Sequence, residues 1–248
     1  MPIGYVNGTS CVNPIDNSVF LVGGEMYIPD TATINFRSPS VYIFNSNLSL
    51  WTTTDIIGFN SSFKMRNAIQ SVIDKYGNIY SFGGTNYTDN TGNSSFVVYN
   101  DMSILDTTFM TWSTLPISVN APPPYLLYTA TLLSTGIIVY IGGRMISSDN
   151  PETSMYEIQT FNANDNSWST KVASGNDNIK SRVGHSAVLM KLSSKPVYIK
   201  FSRYSEFINK TLDIMNFLKF FINGTDHFNI TRMTCINAKN KKSMFILK

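Results

Sequence analysis

Apolar residues along this chain gather into short runs bounded by polar turns rich in Gly, Asn and Ser, a pattern of strands rather than amphipathic helices. Three runs, at residues 19–22, 79–82 and 137–141, end in a diglycine: Gly23-Gly24, Gly83-Gly84 and Gly142-Gly143. Upstream of the second and third lie further apolar stretches, 66–73 and 126–133, joined to them by turns at 74–78 and 134–136. Gly and Asn in such turns supply the positive φ that a tight hairpin needs. Downstream, a polar loop leads to a strand carrying Phe44, Leu105 or Phe161, followed by Asn45, Asp106 or Asn162 and a polar turn. Each unit then closes on one of the chain's 3 Trp residues, Trp51, Trp112 or Trp168. The pattern predicts four short strands per unit.

The landmarks recur about 60 residues apart, self-similarity that marks a solenoid or propeller. Their order resembles the kelch repeat: a strand, a hairpin to a strand ending in Gly-Gly, a variable loop, then an aromatic-Asp-turn-Trp hairpin. The resemblance covers roughly residues 5–201 and departs in two respects. The period exceeds the roughly 50 residues usual for kelch, mainly through long loops after the glycines. The Tyr expected before the turn is Phe or Leu. The resemblance implies an all-β, kelch-type β-propeller in which each repeat is one four-stranded blade. Bare glycine backbone would let a bulky group pass close by. The expectation is that each Trp ring covers a glycine step, so Gly23, Gly24, Gly83, Gly84, Gly142 and Gly143 act structurally with Trp51, Trp112 and Trp168.

A fourth copy begins at residues 181–189, with Arg182 aligned on Arg66, and a further strand is expected near Val197-Tyr198-Ile199. No diglycine follows; Lys200-Phe201-Ser202-Arg203 stands in its place. The predicted organisation is therefore three full blades (about 5–58, 63–118 and 123–174), a partial fourth at 181–201, and a non-repeat C-terminal tail at 202–248. Closed propellers use about 4 to 8 blades, so the ring is not expected to close within this chain. A truncated gene product is one reading; another is that the exposed terminal blades mediate association.

Composition fits a turn-rich β protein: only 14% of residues are charged. The net charge of +3 owes much to Lys239, Lys241, Lys242 and Lys248, a basic end rather than a nucleic-acid footprint, and no nucleic-acid partner is expected. Residues 121–143 carry no charge, but Pro122-Pro123-Pro124 and Ser134-Thr135-Gly136 interrupt them, so two buried strands explain them better than a membrane span. Met1 to Ser10 lack the basic and apolar segments of a signal peptide, which makes the default location cytoplasmic, or secreted if residues have been lost before Met1. Eight Asn-x-Ser/Thr sequons permit a secreted life without establishing it.

No catalytic pattern stands out. There is no phosphate-binding Gly loop with Lys and no Gly-x-Ser-x-Gly elbow. The resemblance also reaches galactose-oxidase-like copper radical oxidases, whose site needs two Tyr, two His and a Cys cross-linked to Tyr. This chain has His185, His227, Cys11 and Cys235 only, with no His pair at ligand spacing. His185 reads as a core or rim residue, the cysteines as unpaired thiols, and Arg66 and Arg182 as structural groups bonding a neighbouring blade's backbone. No cofactor, metal or catalytic residue is expected. The leading reading is a binding module that recognises a protein or ligand through long loops on one propeller face, at 25–39, 85–95 and 144–153. The alternative is a degenerate or inactive galactose-oxidase-like homologue.

Overall fold

The computed structural model describes residues 5–27, 41–59, 63, 66–86, 97–145, 153–173, 181, 183–191, 197–202, 214–222 and 228–236. The first repeat supplies β1 (Tyr5–Val6), β2 (Thr9–Val12), β3 (Val19–Val22), β4 (Glu25–Met26), β5 (Val41–Asn45) and β6 (Leu50–Thr52). Of these, β2-β3-β5-β6 form a four-stranded antiparallel sheet, the first blade. The second blade is β7 (Val72–Ile73), β8 (Asn78–Phe82), β9 (Met102–Asp106) and β10 (Thr111–Thr114), in that spatial order. The third repeat adds β11 (Tyr125–Leu126), β12 (Thr129–Leu132), β13 (Ile137–Ile141), β14 (Arg144–Met145), β15 (Glu157–Asn162) and β16 (Ser167–Val172). Its blade is β12-β13-β15-β16.

Local chemistry explains the hairpins. In the β7–β8 turn the Asp74 carboxylate accepts from the Tyr76 and Asn78 N–H groups at 2.9 and 2.8 Å, while Gly77 takes a φ of 88°. The Asn or Asp before each Trp does the same: Asn45 accepts from Asn47 and Leu48, Asp106 from Thr108 and Phe109, and Asn162 from Asn164. Such short side chains bend the chain by bonding backbone two or three residues on. The large apolar residue and the Trp then stand directly opposite each other: Phe44 to Trp51, Leu105 to Trp112, Phe161 to Trp168.

Blades stack face to face in sequence order. Phe20, Val22 and Cys11 of the first blade pack on Ile79, Leu105 and Trp112 of the second. Tyr80, Phe82 and Met102 of the second pack on Ile138, Tyr140, Phe161 and Trp168 of the third. Val139, Ile141 and Ile158 of the third continue the stack, with Ala187 of the fourth packed against them. Trp112 and Trp168 thus turn toward the preceding blade.

The fourth sheet contains β17 (Ser186–Lys191), β18 (Val197–Ser202), β19 (Ile214–Ile222) and β20 (Phe228–Ile236), all antiparallel. Here the structure extends the expectation. The partial blade at 181–201 gains two nine-residue strands from the stretch read as a non-repeat tail. The physical reason is that a strand edge pairs through backbone N–H and C=O groups, which need no diglycine or Trp. No sheet among the described residues closes on itself, and no helix among them is long and apolar enough to cross a membrane.

Candidate functional site

Before each inner strand the backbone takes one step in the left-handed region: Asn7 (φ 59°), Ala68 (57°), Leu127 (59°) and Gly184 (59°). These four residues are repeat equivalents, and three are not glycine. A left-handed L-residue costs about 1–2 kcal/mol, so surrounding bonds must hold it. The Ala68 N–H donates to the Asn7 carbonyl (3.1 Å), Leu127 to Ala68 (3.1 Å) and Gly184 to Leu127 (3.0 Å). The result is a backbone staircase linking all four blades around the propeller axis.

A side-chain staircase runs beside it. Thr9 Oγ1 accepts from the Ser71 N–H of the next blade at 3.0 Å. Gln70, at the equivalent position, accepts through Oε1 from the Ala130 N–H of the next blade at 2.7 Å. Thr129, equivalent again, lies with its hydroxyl 3.4 Å from His185 Nε2 of the fourth blade. His185 is buried, in keeping with the core or rim role read from the sequence.

These residues line an open cavity of about 380 Å³. Asn7, Thr9, Ser10, Gln70, Tyr128 and His185 give it polar groups, and Ala68, Ile69 and Leu127 its apolar wall. Just before each left-handed step, a residue pairs with the first residue after the diglycine: Val6 with Glu25, Asn67 with Thr85, Leu126 with Arg144. The loops that begin at Glu25, Thr85 and Arg144 therefore leave from one end of the molecule, beside residues that line the cavity. Residues 28–40, 87–96 and 146–152, most of those loops, lie outside the described residues.

All six diglycine residues have positive φ, between 62° and 96°. At Gly23 and Gly83, the first glycines of the first two pairs, the covering group is a carbonyl of the next blade, not an indole. A Cβ on Gly23 would strike the Arg66 carbonyl oxygen, and one on Gly83 would meet the Tyr125 carbonyl oxygen at 2.5 Å. The second glycine bonds the same carbonyl: Gly24 N–H to Arg66 O at 2.7 Å, Gly84 N–H to Tyr125 O at 2.9 Å. This corrects the expected Trp-over-Gly packing. The indoles meet aromatic rings instead, Trp51 on Phe44, Trp112 on Phe59 and Phe63, Trp168 on Phe82, Tyr140 and Phe161. The reason is reach: the indole stands across the sheet face, whereas only main chain fits the narrow step at the strand end.

Arg66 is fully buried. It pairs with Asp101, donates to the Gly83 carbonyl at 3.3 Å, and stacks 3.7 Å from the Tyr99 ring centre. Its guanidinium therefore bonds its own blade, and only its backbone carbonyl reaches the neighbour. Beside it Asn67 donates to the buried Glu25 carboxylate at 2.7 Å, and Tyr27 donates to the other oxygen at 3.2 Å. Arg182 and His227 lie outside the described residues. Cys11 is a free thiol, pushed up to about 12 by burial. Among the described residues no group of three or more His, Cys, Asp or Glu is placed to hold a metal ion.

A family model described as the KLHDC2/KLHL20/DRC7 Kelch-repeats domain matches residues 1–200. The chain belongs to this kelch-repeat family. Among solved structures, that of YjhT is similar, at 12% sequence identity and a TM-score of 0.60, over 97% of this chain and 67% of that one. Identity that low speaks for the fold alone. No curated protein matches the chain by sequence. Sequence reasoning located the kelch glycines and tryptophans but missed both staircases. The side-chain one had a readable signal: Thr9, Gln70, Thr129 and Ser186 put an oxygen-bearing side chain at one repeat position. The backbone one had almost none, since Ala68 and Leu127 are poor advertisements for positive φ.

Proposed function

We propose that this kelch array is a binding module that takes a protein segment at this cavity, flanked by the loops after the diglycines, and performs no catalysis. One observation carries the reading: the loops start at residues paired directly beside the cavity-lining residues. Recognition usually lives on loops held by a rigid scaffold, and a concave site with a few convergent polar groups suits a ligand. Family membership supports a recognition role but leaves the partner open.

The test is selection of peptides from a displayed library on the purified chain, with affinities measured by calorimetry. Ser10, exposed at the cavity wall, is replaced by Trp. We expect the selected peptides to lose at least tenfold in affinity for Ser10→Trp while circular dichroism and melting stay unchanged. Peptides that bind this variant as tightly as the parent chain would refute the cavity as the site.

A further inference from the structure

The outer edge of the third blade is open where that of the second is bridged. In the second blade, Ile57 from the end of the first repeat lies parallel to the outer strand β10. Its N–H donates to the Met110 carbonyl at 2.9 Å, and its carbonyl accepts from the Trp112 N–H at 2.8 Å. Its neighbours Ile56 and Phe59 pack against the core between the first two blades, the Phe59 ring 5.2 Å from that of Trp112. A short piece of extended chain thus covers this edge.

The matching residue for the third blade is Ser118, which follows Trp112 at the distance Ile57 follows Trp51. It makes no such bridge among the described residues. Pro116 stands where the first repeat has Asp55, and the Ser118 carbonyl accepts from the Ala121 N–H at 3.0 Å in a local turn. Strand β16, Ser167–Val172, therefore keeps an edge of 6 residues, none of them proline. The ladder fixes which groups face outward. The Ala173 N–H bonds the Tyr156 carbonyl at 2.7 Å. Antiparallel alternation then turns the backbone groups of Ser169 and Lys171 toward β15, and those of Trp168, Thr170 and Val172 away from it. Among the described residues nothing bonds the N–H groups of these last three. Ser169, Thr170 and Val172 are exposed.

An unpaired row of backbone donors and acceptors is a template for another strand. An extended peptide added to such a row gains affinity from its main chain and specificity from alternate side chains. The second blade shows the form that fits: parallel to the outer strand, with apolar residues at and beside the bonding position. Val172 on the strand, and Ile117 and Val119 in the linker that leaves the edge open, are exposed apolar groups for it to cover.

We propose that β16 is a docking edge for an extended, apolar peptide segment of a partner protein, which adds to the third blade as a further, parallel strand. The segment's bonding residue would donate to the Asn166 carbonyl and accept from the Trp168 N–H, as Ile57 does with Met110 and Trp112. Its carbonyl two residues on would accept from the Thr170 N–H. This edge belongs to the outermost strand of the blade, apart from the inner strands that line the cavity.

A synthetic peptide copying residues 54–59 of this chain is the probe, because that stretch already fills this role on β10. Amide hydrogen exchange followed by NMR on the full chain should show protection rising at Trp168, Thr170 and Val172 as peptide is added. N-methylation of the peptide nitrogen that corresponds to Ile57 removes the donor, and should weaken binding about tenfold. Thr170→Pro removes an N–H that β15 does not use, so melting should stay near that of the parent while binding falls about tenfold. No added protection at 168–172, or protection confined to β10, overturns the proposal. So does a peptide whose affinity is unchanged by its N-methyl group, a result that needs no variant of the protein.

Discussion

Gly83 and Gly184 have nearly the same φ, 62° and 59°, yet they stand in opposite surroundings. A Cβ on Gly83 would sit 2.5 Å from the Tyr125 carbonyl oxygen and 3.2 Å from that of Tyr99, whereas Gly184 has nothing within 4 Å. The pair separates two costs that glycine usually hides together. Gly184→Ala pays only left-handed strain, so urea unfolding should show a loss of about 1–2 kcal/mol. Gly83→Ala must also push the third blade's backbone away, or lose the 2.9 Å bond from Gly84 to Tyr125. Strain and a broken buried bond together predict a loss of about 3 kcal/mol or more. Equal losses for the two would show that the close approach between blades contributes nothing.

The blade edges are joined by devices that repeat as faithfully as the glycines. In each of the three full kelch units an oxygen-bearing side chain at the second residue after the left-handed step reaches toward the next blade. Gln70 is the clearest case, because Ala130, whose N–H it accepts, is buried. Gln70→Leu keeps the bulk but leaves that N–H without its acceptor, which costs about 1–3 kcal/mol. Thermal melting should show the loss, and Gln70→Glu, which retains an oxygen there, should recover part of it. Failure of Gln70→Leu to lower the melting temperature would mean that the inner strands are held by apolar stacking alone. The hairpins were legible beforehand for a local reason: Asp74, Asn45, Asp106 and Asn162 bend backbone within a few residues of themselves. Links between strands about 60 residues apart leave no such local trace.

The core between the second and third blades is rich in aromatic rings, and its phenols tie global stability to pH. Tyr80 is pushed up from 10.0 to about 12, by burial first and then by the nearby Asp74 carboxylate, to which it donates. Burial also raises Tyr125, Tyr128 and Tyr140, all in the same core between the second and third blades. Cys11, between the first and second, moves from 9.0 to about 12. The folded chain holds these protons where the unfolded chain releases them. Their contribution is therefore complete below pH 9, and is lost as pH rises through about 12. Urea midpoints should hold steady from pH 7 to 9 and fall steeply above pH 10, with Cys11→Ala delaying only the earliest part of the fall. A midpoint flat up to pH 12 would mean that these groups ionise without unfolding.

Read as a string, the chain announced its strands, its hairpins and the order of its three full kelch blades. Those features rest on alternation, on turn chemistry and on residues that recur at a fixed interval, all of which act along the backbone. The loss of the diglycine near residue 200 was equally plain, because Lys200-Phe201-Ser202-Arg203 stands in its place. Only the assembled molecule revealed that strands β19 and β20 join the fourth sheet, that Gly23 and Gly83 lie under carbonyls rather than indoles, and that Asn7, Ala68, Leu127 and Gly184 line one cavity. Pairing at a sheet edge uses groups that every residue carries, and close approach depends on which blade lies next in space. Neither is written in the identity of any one side chain, so both had to wait for the third dimension.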